Sequence, residues 1–484
     1  MPSAAVRRMP KALKAVLLAL GALAGAVALG ALAVLAFVDV EDFKPRVESA
    51  ASSALGMDVT VEGALRLGLL PGLHVALGNV RVRNGGSQLA LVETAELAID
   101  LLPLLRRELR YDSIVLKRAR ISIERGLDGR YNYQKPAGPM AAFRPLHLKR
   151  ISFPELVLAY ADKASGNGFE SGNCDGELTD MRHPGGAPFL ARLSLAGRLA
   201  CNELRGKEAT VSDVKLVLEA TDGVFDFKPV TMRVAGGQGS GSLRLDRSAA
   251  VPAVKLEYSL ARFRIQEFFK GMPPEKSVSG LMDFSTTLSM RGRTRGELRQ
   301  SATGQVSLSG TNLTLAGMDL DRTFSKYRVS QNFNLFDMTA FLLAGPLGLV
   351  VTKGYDFSSL AQQAGGSTQI RTVVSRWQVE KGVAHARDVA LATGANRLAL
   401  QGRLDFVDEE FDEVLVALVD SKGCARMRQR VRGPFGKPVV EKPSILASLA
   451  GPVVNLIETA RDLFPGKEAC EAFYSGSVAP PKGE

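Results

Sequence analysis

The sequence predicts a mostly β protein held to a membrane by one N-terminal helix. Three observations predict it: an unbroken apolar run from Ala15 to Val38, period-two alternation from Val59 onward, and a shortage of helical stretches beyond that point. The 484 residues exceed one ordinary globular core, so the chain holds several domains or one elongated repetitive architecture. Hydrophobic residues at 46% and charged residues at 23% exclude a compositionally disordered chain.

The apolar run is long enough to cross a membrane. At ~1.5 Å per residue it spans about 36 Å, against a hydrocarbon core of ~30 Å. Arg7, Arg8, Lys11 and Lys14 precede it, and Asp39, Glu41 and Asp42 follow it. That asymmetry leaves the N-terminus in the cytoplasm and translocates the bulk of the chain. A cleaved signal peptide has a core of only ~7–15 residues. The cleavage-like Ala31-Leu32-Ala33 lies inside the run, so a retained anchor is the reading. Gly21, Gly25 and Gly30 could let a second helix pack closely, although in an Ala-rich segment such spacing is usually chance.

A short helix follows the anchor, with Asp42 as its cap, Pro45 in its first turn and Gly56 at its end. Phe43, Val47, Ala51 and Leu55 would share one face of it. Such a helix rests on the membrane surface or closes one end of the sheet.

Alternating strands are expected at 59–63, 65–67, 74–77, 80–83, 114–123, 189–195, 211–218, 224–227, 242–245 and 254–258. More are expected at 281–288, 305–308, 313–315, 397–400 and 404–407. Residues 95–105, containing Pro103, read as a strand and a turn. Arg262 to Phe269 reads as a short helix, Asn332 to Leu343 is ambiguous, and Ser444 to Phe464 is the only long helical candidate in the C-terminal half. Its apolar stripe suits a helix packed on the sheet as core, or one gating an end of the sheet or touching a membrane. A glycine repeatedly opens an alternating strand, as at Gly63, Gly241, Gly304 and Gly402, but at irregular spacing. Many one-sided strands with few helices must roll up, pair with a second sheet, or shelter an apolar ligand.

Cys174, Cys201, Cys424 and Cys470 form no CxxC pair. In an oxidising compartment the local pairs Cys174–Cys201 and Cys424–Cys470 are expected; otherwise all four are reduced, buried thiols. The net charge is +11, and beyond the four N-terminal cations it is dispersed. Aromatics make up 6% of the chain with one tryptophan, Trp377, which is too few for a base-stacking surface, so no nucleic-acid partner is expected.

No enzyme motif emerges. His74, His147, His183 and His385 are scattered, and no HExxH, GxSxG or Walker sequence occurs. Residues 166–172 have the wrong spacing for a dinucleotide fingerprint and read as a turn. The acidic run Asp405, Asp408, Glu409, Glu410, Asp412 and Glu413 lacks EF-hand spacing and reads as the solvated side of a strand pair. Asn312-Leu313-Thr314 matches a glycosylation sequon. Catalytic, cofactor and metal residues are therefore assigned to none, and no cofactor is expected.

An ordered series of short motifs resembles the N-terminal region of the AsmA family of bacterial envelope proteins. After the anchor come Phe43-Lys44-Pro45-Arg46-Val47, Ala54-Leu55-Gly56, Val61-Glu62-Gly63 and Leu67-Gly68-Leu69-Leu70-Pro71. Leu77-Gly78-Asn79-Val80, Leu101-Leu102-Pro103-Leu104-Leu105 and Gly129-Arg130-Tyr131-Asn132 continue it. Residues 304–319 and 391–402 are similar to the family's late strands, whereas about 150–290 match only in strand character.

The resemblance implies a single-pass inner-membrane protein with its bulk in the periplasm. It implies an elongated, twisted, curled antiparallel sheet forming an apolar groove, as in bridge-like lipid transfer proteins. The organisation expected is a cytoplasmic basic tail at 1–14, the transmembrane helix at 15–38 and an AsmA-like N-terminal region at 39–150. A middle β region at 151–290 and an AsmA-like C-terminal β region at 291–484, ending in a helix, complete it. Implied partners are phospholipid, the inner membrane and an envelope or outer-membrane protein; the implied role is non-enzymatic. Fifteen to twenty strands at ~4.8 Å spacing would extend about 70–95 Å. A structural assembly factor without lipid transport is the rival, and lipid-facing residues are left unassigned.

Overall fold

A computed structural model describes residues 41, 44–68, 73–99, 111–134, 145–186, 189–207, 210–269, 278–326, 365–441, 444–445 and 470–481. The apolar run at 15–38, the ambiguous segment at 332–343 and the helical candidate beyond Ile445 lie outside the described residues. Among the described residues no helix is long and apolar enough to cross a membrane.

Among the described residues twenty-three strands form one sheet. The first six are β1 (Asp58–Val61), β2 (Leu65–Gly68), β3 (Leu73–Asn84), β4 (Ser87–Ile99), β5 (Tyr111–Arg125) and β6 (Leu146–Asp162). Next come β7 (Asn167–Ser171), β8 (Cys174–His183), β9 (Ser194–Gly206), β10 (Thr210–Thr221), β11 (Val224–Val234) and β12 (Gly237–Asp246). Then follow β13 (Ala253–Arg264), β14 (Val278–Ser279), β15 (Leu281–Arg291), β16 (Thr303–Ala316), β17 (Ser367–Glu380) and β18 (Val383–Ala392). The last five are β19 (Arg397–Asp405), β20 (Glu410–Val419), β21 (Ala425–Pro434), β22 (Val439–Val440) and β23 (Ser444–Ile445).

Almost every strand pairs with its sequence neighbours, because hairpin turns are the shortest connection between antiparallel strands. Short segments share a lane: β1 and β2 both pair with β3, and β7 and β8 both fill the space between β6 and β9. The sheet runs without a break across residues 150 and 290.

One junction corrects the antiparallel expectation. Strands β5 and β6 pair parallel, with Ile114 opposite Ile151 and Ile121 opposite Leu158. The connection between them, residues 126–145, is long enough to bring the chain back to the same end, which a hairpin cannot do.

Three local expectations also change. Residues 189–195 are a 3-10 turn, Phe189–Arg192, before β9 begins at Ser194. Arg262 to Arg264 finish β13, and only Ile265–Phe269 form a 3-10 turn. Ser444 and Ile445 pair with β21 as a strand instead of opening a helix. In each case long-range pairing or packing overrides the local pattern.

Helix α1 (Lys44–Leu55) closes the first edge of the sheet. Gly56 ends it with φ 64°. The Ser52 hydroxyl accepts the Val59 N–H at 3.0 Å, and Glu48 accepts the Val61 N–H at 2.6 Å. Ala51 packs against the buried valines of β1. The outer N–H groups of β1 are thereby taken, which removes an edge open to strand addition.

At two of the recurrent glycines the sheet demands the residue. Gly304 has φ 146° and Gly402 has φ 121°. A Cβ on Gly402 would lie 2.5 Å from the Glu413 carbonyl oxygen of the neighbouring strand.

Candidate functional site: the apolar face of the sheet

Residues directly opposite one another in a ladder project from the same face. The registers therefore show which side chains line up across the whole sheet.

One row crosses the N-terminal half as Val61, Val80, Val92 and Ala119, passes in register to Leu156, and continues through Cys174, Cys201 and Val214. All eight residues are buried and belong to one cluster. Cys174 and Cys201 stand directly opposite and form a disulfide in the middle of this row.

A second row runs beside it: Leu77, Ala95 and Leu116, in register with Phe153, then Gly176, Leu199, Leu216, Val230, Gly241 and Tyr258. It continues as Thr286, Val306, Trp377 and Ala386.

A third row is Val75, Leu97, Ile114, Ile151, Leu178, Gly197, Leu218 and Phe227. It proceeds through Leu243, Leu256, Leu288, Gly304, Val379, Ala384, Leu404 and Phe411. No charged side chain interrupts any of the three rows.

Between the first two rows lies a line of backbone irregularities. Asn79, Arg118 and Glu155 have φ of 48°, 48° and 56°. Such residues bend a strand and raise its twist, and aligned on successive strands they bend the sheet along one line. Their side chains are exposed. Arg118 makes a bidentate pair with Glu93 and lies 3.8 Å from Glu155. The Arg118 hydrogen bond holds the Glu93 carboxyl below the usual carboxylate range. The opposite face thus carries ion pairs where the aligned face carries hydrocarbon.

Exposure of the aligned face changes along the sheet. Through β3–β11 the side chains of the second and third rows are mostly half-buried. From β16 onward most are buried, with Trp377 at 2% exposure and Leu404 at 0%, while Gly304 and Ala386 are half-buried. Helix α2 (Leu320–Lys326) contributes Leu320 and Phe324 to this core.

The C-terminal tail covers the other face at that end. Phe473, Tyr474 and Val478 pack with Ala390, Ala392, Ala399, Ala417 and Val419. Strands β18 and β19 therefore alternate large residues toward one face and alanines toward the tail, and β20 adds Ala417 and Val419. The size alternation Val389-Ala390-Leu391-Ala392 was the available signal for this second layer.

Asp388 latches the tail. It accepts the Tyr474 hydroxyl at 2.5 Å and the Ser477 hydroxyl at 2.6 Å, and pairs with Arg376 at 3.1 Å. Burial raises the Asp388 carboxyl, but the Ser477 and Tyr474 hydroxyls outweigh it and the net position is below the usual range. Burial and Asp388 together push the Tyr474 phenol upward. A second disulfide, Cys424–Cys470, ties the start of the tail to the turn between β20 and β21. A carboxyl lowered in the folded state contributes stability above its ordinary pKa of ~3.9 and loses it as pH falls through the folded value. Below about pH 4 the protection of amides at 471–481 against hydrogen exchange, corrected for the intrinsic rate, should therefore fall. Asp388→Asn should flatten that pH dependence and cost about 1–3 kcal/mol locally at neutral pH.

The other residues named above lie on strands and in turns. Glu410 and Asp412 lie on β20 and Asp405 on β19; Asp405 accepts turn N–H groups, while Asp412 pairs with Arg403 and Glu409 with Arg299. The four histidines fall on four strands: His74 on β3, His147 on β6, His183 on β8 and His385 on β18. Gly166 closes the turn into β7, and Leu313 of the sequon is fully buried in β16. Among the described residues no group of His, Cys, Asp or Glu could hold a metal ion.

The fold and this face define a long single-sheet protein, apolar on one side across successive strands. The chain belongs to the AsmA family, whose family model matches residues 9–173 and 192–388. No curated protein and no solved structure matches it.

Proposed function

We propose that the aligned apolar face is the inner wall of an elongated, curled groove that shields phospholipid acyl chains moving between the membranes of a cell envelope. The single observation that carries this reading is the uninterrupted register of the three rows across successive strands. Each CH₂ kept from water is worth ~0.8 kcal/mol, so an unbroken apolar lane lowers the barrier to moving a chain along it. At ~4.8 Å per strand position the sheet extends about 85 Å, beyond the ~40–45 Å of a bilayer with its headgroups.

In this reading the helix at 15–38 anchors the chain in the inner membrane and the sheet lies in the periplasm. Family membership is consistent with an envelope role. The lining acts collectively, with no catalytic residue, and serves outer-membrane lipid homeostasis. The dense burial from β16 onward favours a second reading for that end, a docking platform for an envelope protein.

Mass spectrometry of organic extracts from the purified full chain tests the first reading. Phospholipid at roughly one or more molecules per chain, above a single-pass control protein of similar anchor, is the expected result. Lipid at the control level would overturn it in favour of the assembly-factor reading.

A further inference from the structure

Three successive inward positions of β12, Gly237, Gly239 and Gly241, carry no side chain. The Tyr258 ring of β13 leans back over them: a Cβ on Gly239 would collide with its hydroxyl, while one on Gly237 would meet the Ala261 carbonyl and the Cβ of Phe263. Filling a glycine lane in this way requires only the ring, and phenylalanine would serve as well.

The hydroxyl is what needs an explanation. It is buried and makes no hydrogen bond among the described residues. The other polar groups nearby on the aligned face are satisfied: Thr286 Oγ1 donates to the Gln305 carbonyl at 3.1 Å, and Trp377 Nε1 donates to Ser375 Oγ at 2.8 Å. A buried, unpaired hydroxyl is costly, and such exceptions mark sites that expect a partner.

Its position selects that partner. On one side of Tyr258 the second row is half-buried, at Leu199, Leu216 and Val230. On the other side it closes, with Val306 at 5% exposure and Trp377 at 2%. The hydroxyl overlies Gly239, toward the half-buried side. Burial pushes the phenol upward, which keeps it protonated and a donor. A chain lying along the half-buried rows would bring to this point the acceptor nearest its hydrocarbon, an acyl ester carbonyl.

The geometry points to Tyr258 as the hydrogen-bond donor for the ester carbonyl of an acyl lipid, stationed where the apolar face passes from half-buried to closed. This assignment rests on the lipid-binding reading above.

The test offers the purified full chain in detergent an equimolar mixture of dioleoylphosphatidylcholine and its diether analogue, which lacks the carbonyls. Lipid retained after gel filtration is then quantified. Wild type should enrich the ester form about five- to tenfold. Tyr258→Phe should retain as much total lipid at an ester-to-ether ratio near the input, with its unfolding midpoint unchanged or higher. A wild-type ratio equal to the input, or enrichment surviving in Tyr258→Phe, overturns the role of Tyr258 and leaves lipid binding standing. Retention by neither protein above the control overturns both.

Discussion

Leu199→Asp should strip most of the bound lipid from the protein. Leu199 lies in the second row, half-buried, between Gly176 and Leu216. A carboxylate there would share its surroundings with an acyl chain, and burying an uncompensated polar group costs roughly 2–4 kcal/mol. That converts to a loss in occupancy of about 30-fold or more. Arg198, its neighbour in sequence, points to the opposite face and pairs with Glu177. Arg198→Asp therefore provides the control: it should lose the ion pair, worth ~0–1 kcal/mol, and keep the lipid. Phosphorus content per chain, measured on both variants alongside their unfolding midpoints, decides the matter. Equal lipid in the two folded variants would mean the aligned face is not where lipid resides.

Leu404→Ala should be strongly destabilising, at about 3–5 kcal/mol. Leu404 is fully buried in the dense C-terminal core, where its neighbours cannot collapse into the space vacated. Leu256 occupies the same third row five strand positions earlier but is half-buried. Leu256→Ala should cost only about 1–2 kcal/mol, because less surface returns to water. Urea unfolding of the two variants measures the difference. Similar costs would show that the two ends of the row are equally packed, and the contrast between an open and a closed stretch would fall.

These expectations follow from how differently the two halves use the same pattern. The runs Val75-Ala-Leu77 and Leu398-Ala-Leu400 read alike as short alternating strands. In β3 that alternation separates hydrocarbon from solvent. In β19 it separates a large-residue core from an alanine face sealed by Phe473 and Tyr474, 75 residues away in the sequence. Nothing local distinguishes them except the size alternation, since the second layer arrives from a distant tail. The latch at Asp388 was illegible for the same reason, as its partners Tyr474 and Ser477 carry no motif.

The sequence by itself determined the strand-rich class, the alternation of side chains along each strand and the short helix ending at Gly56. These depend on period-two spacing and turn chemistry, which act within a few residues. It also narrowed the cysteines to two local pairs, because each pair is close in sequence. Only the tertiary structure decided the register that aligns Leu77 with Trp377 along one row, the parallel junction between β5 and β6, and the closure of one end by the tail. Register and closure are set by contacts between residues far apart in the chain, and a one-residue slip would turn every aligned side chain to the other face.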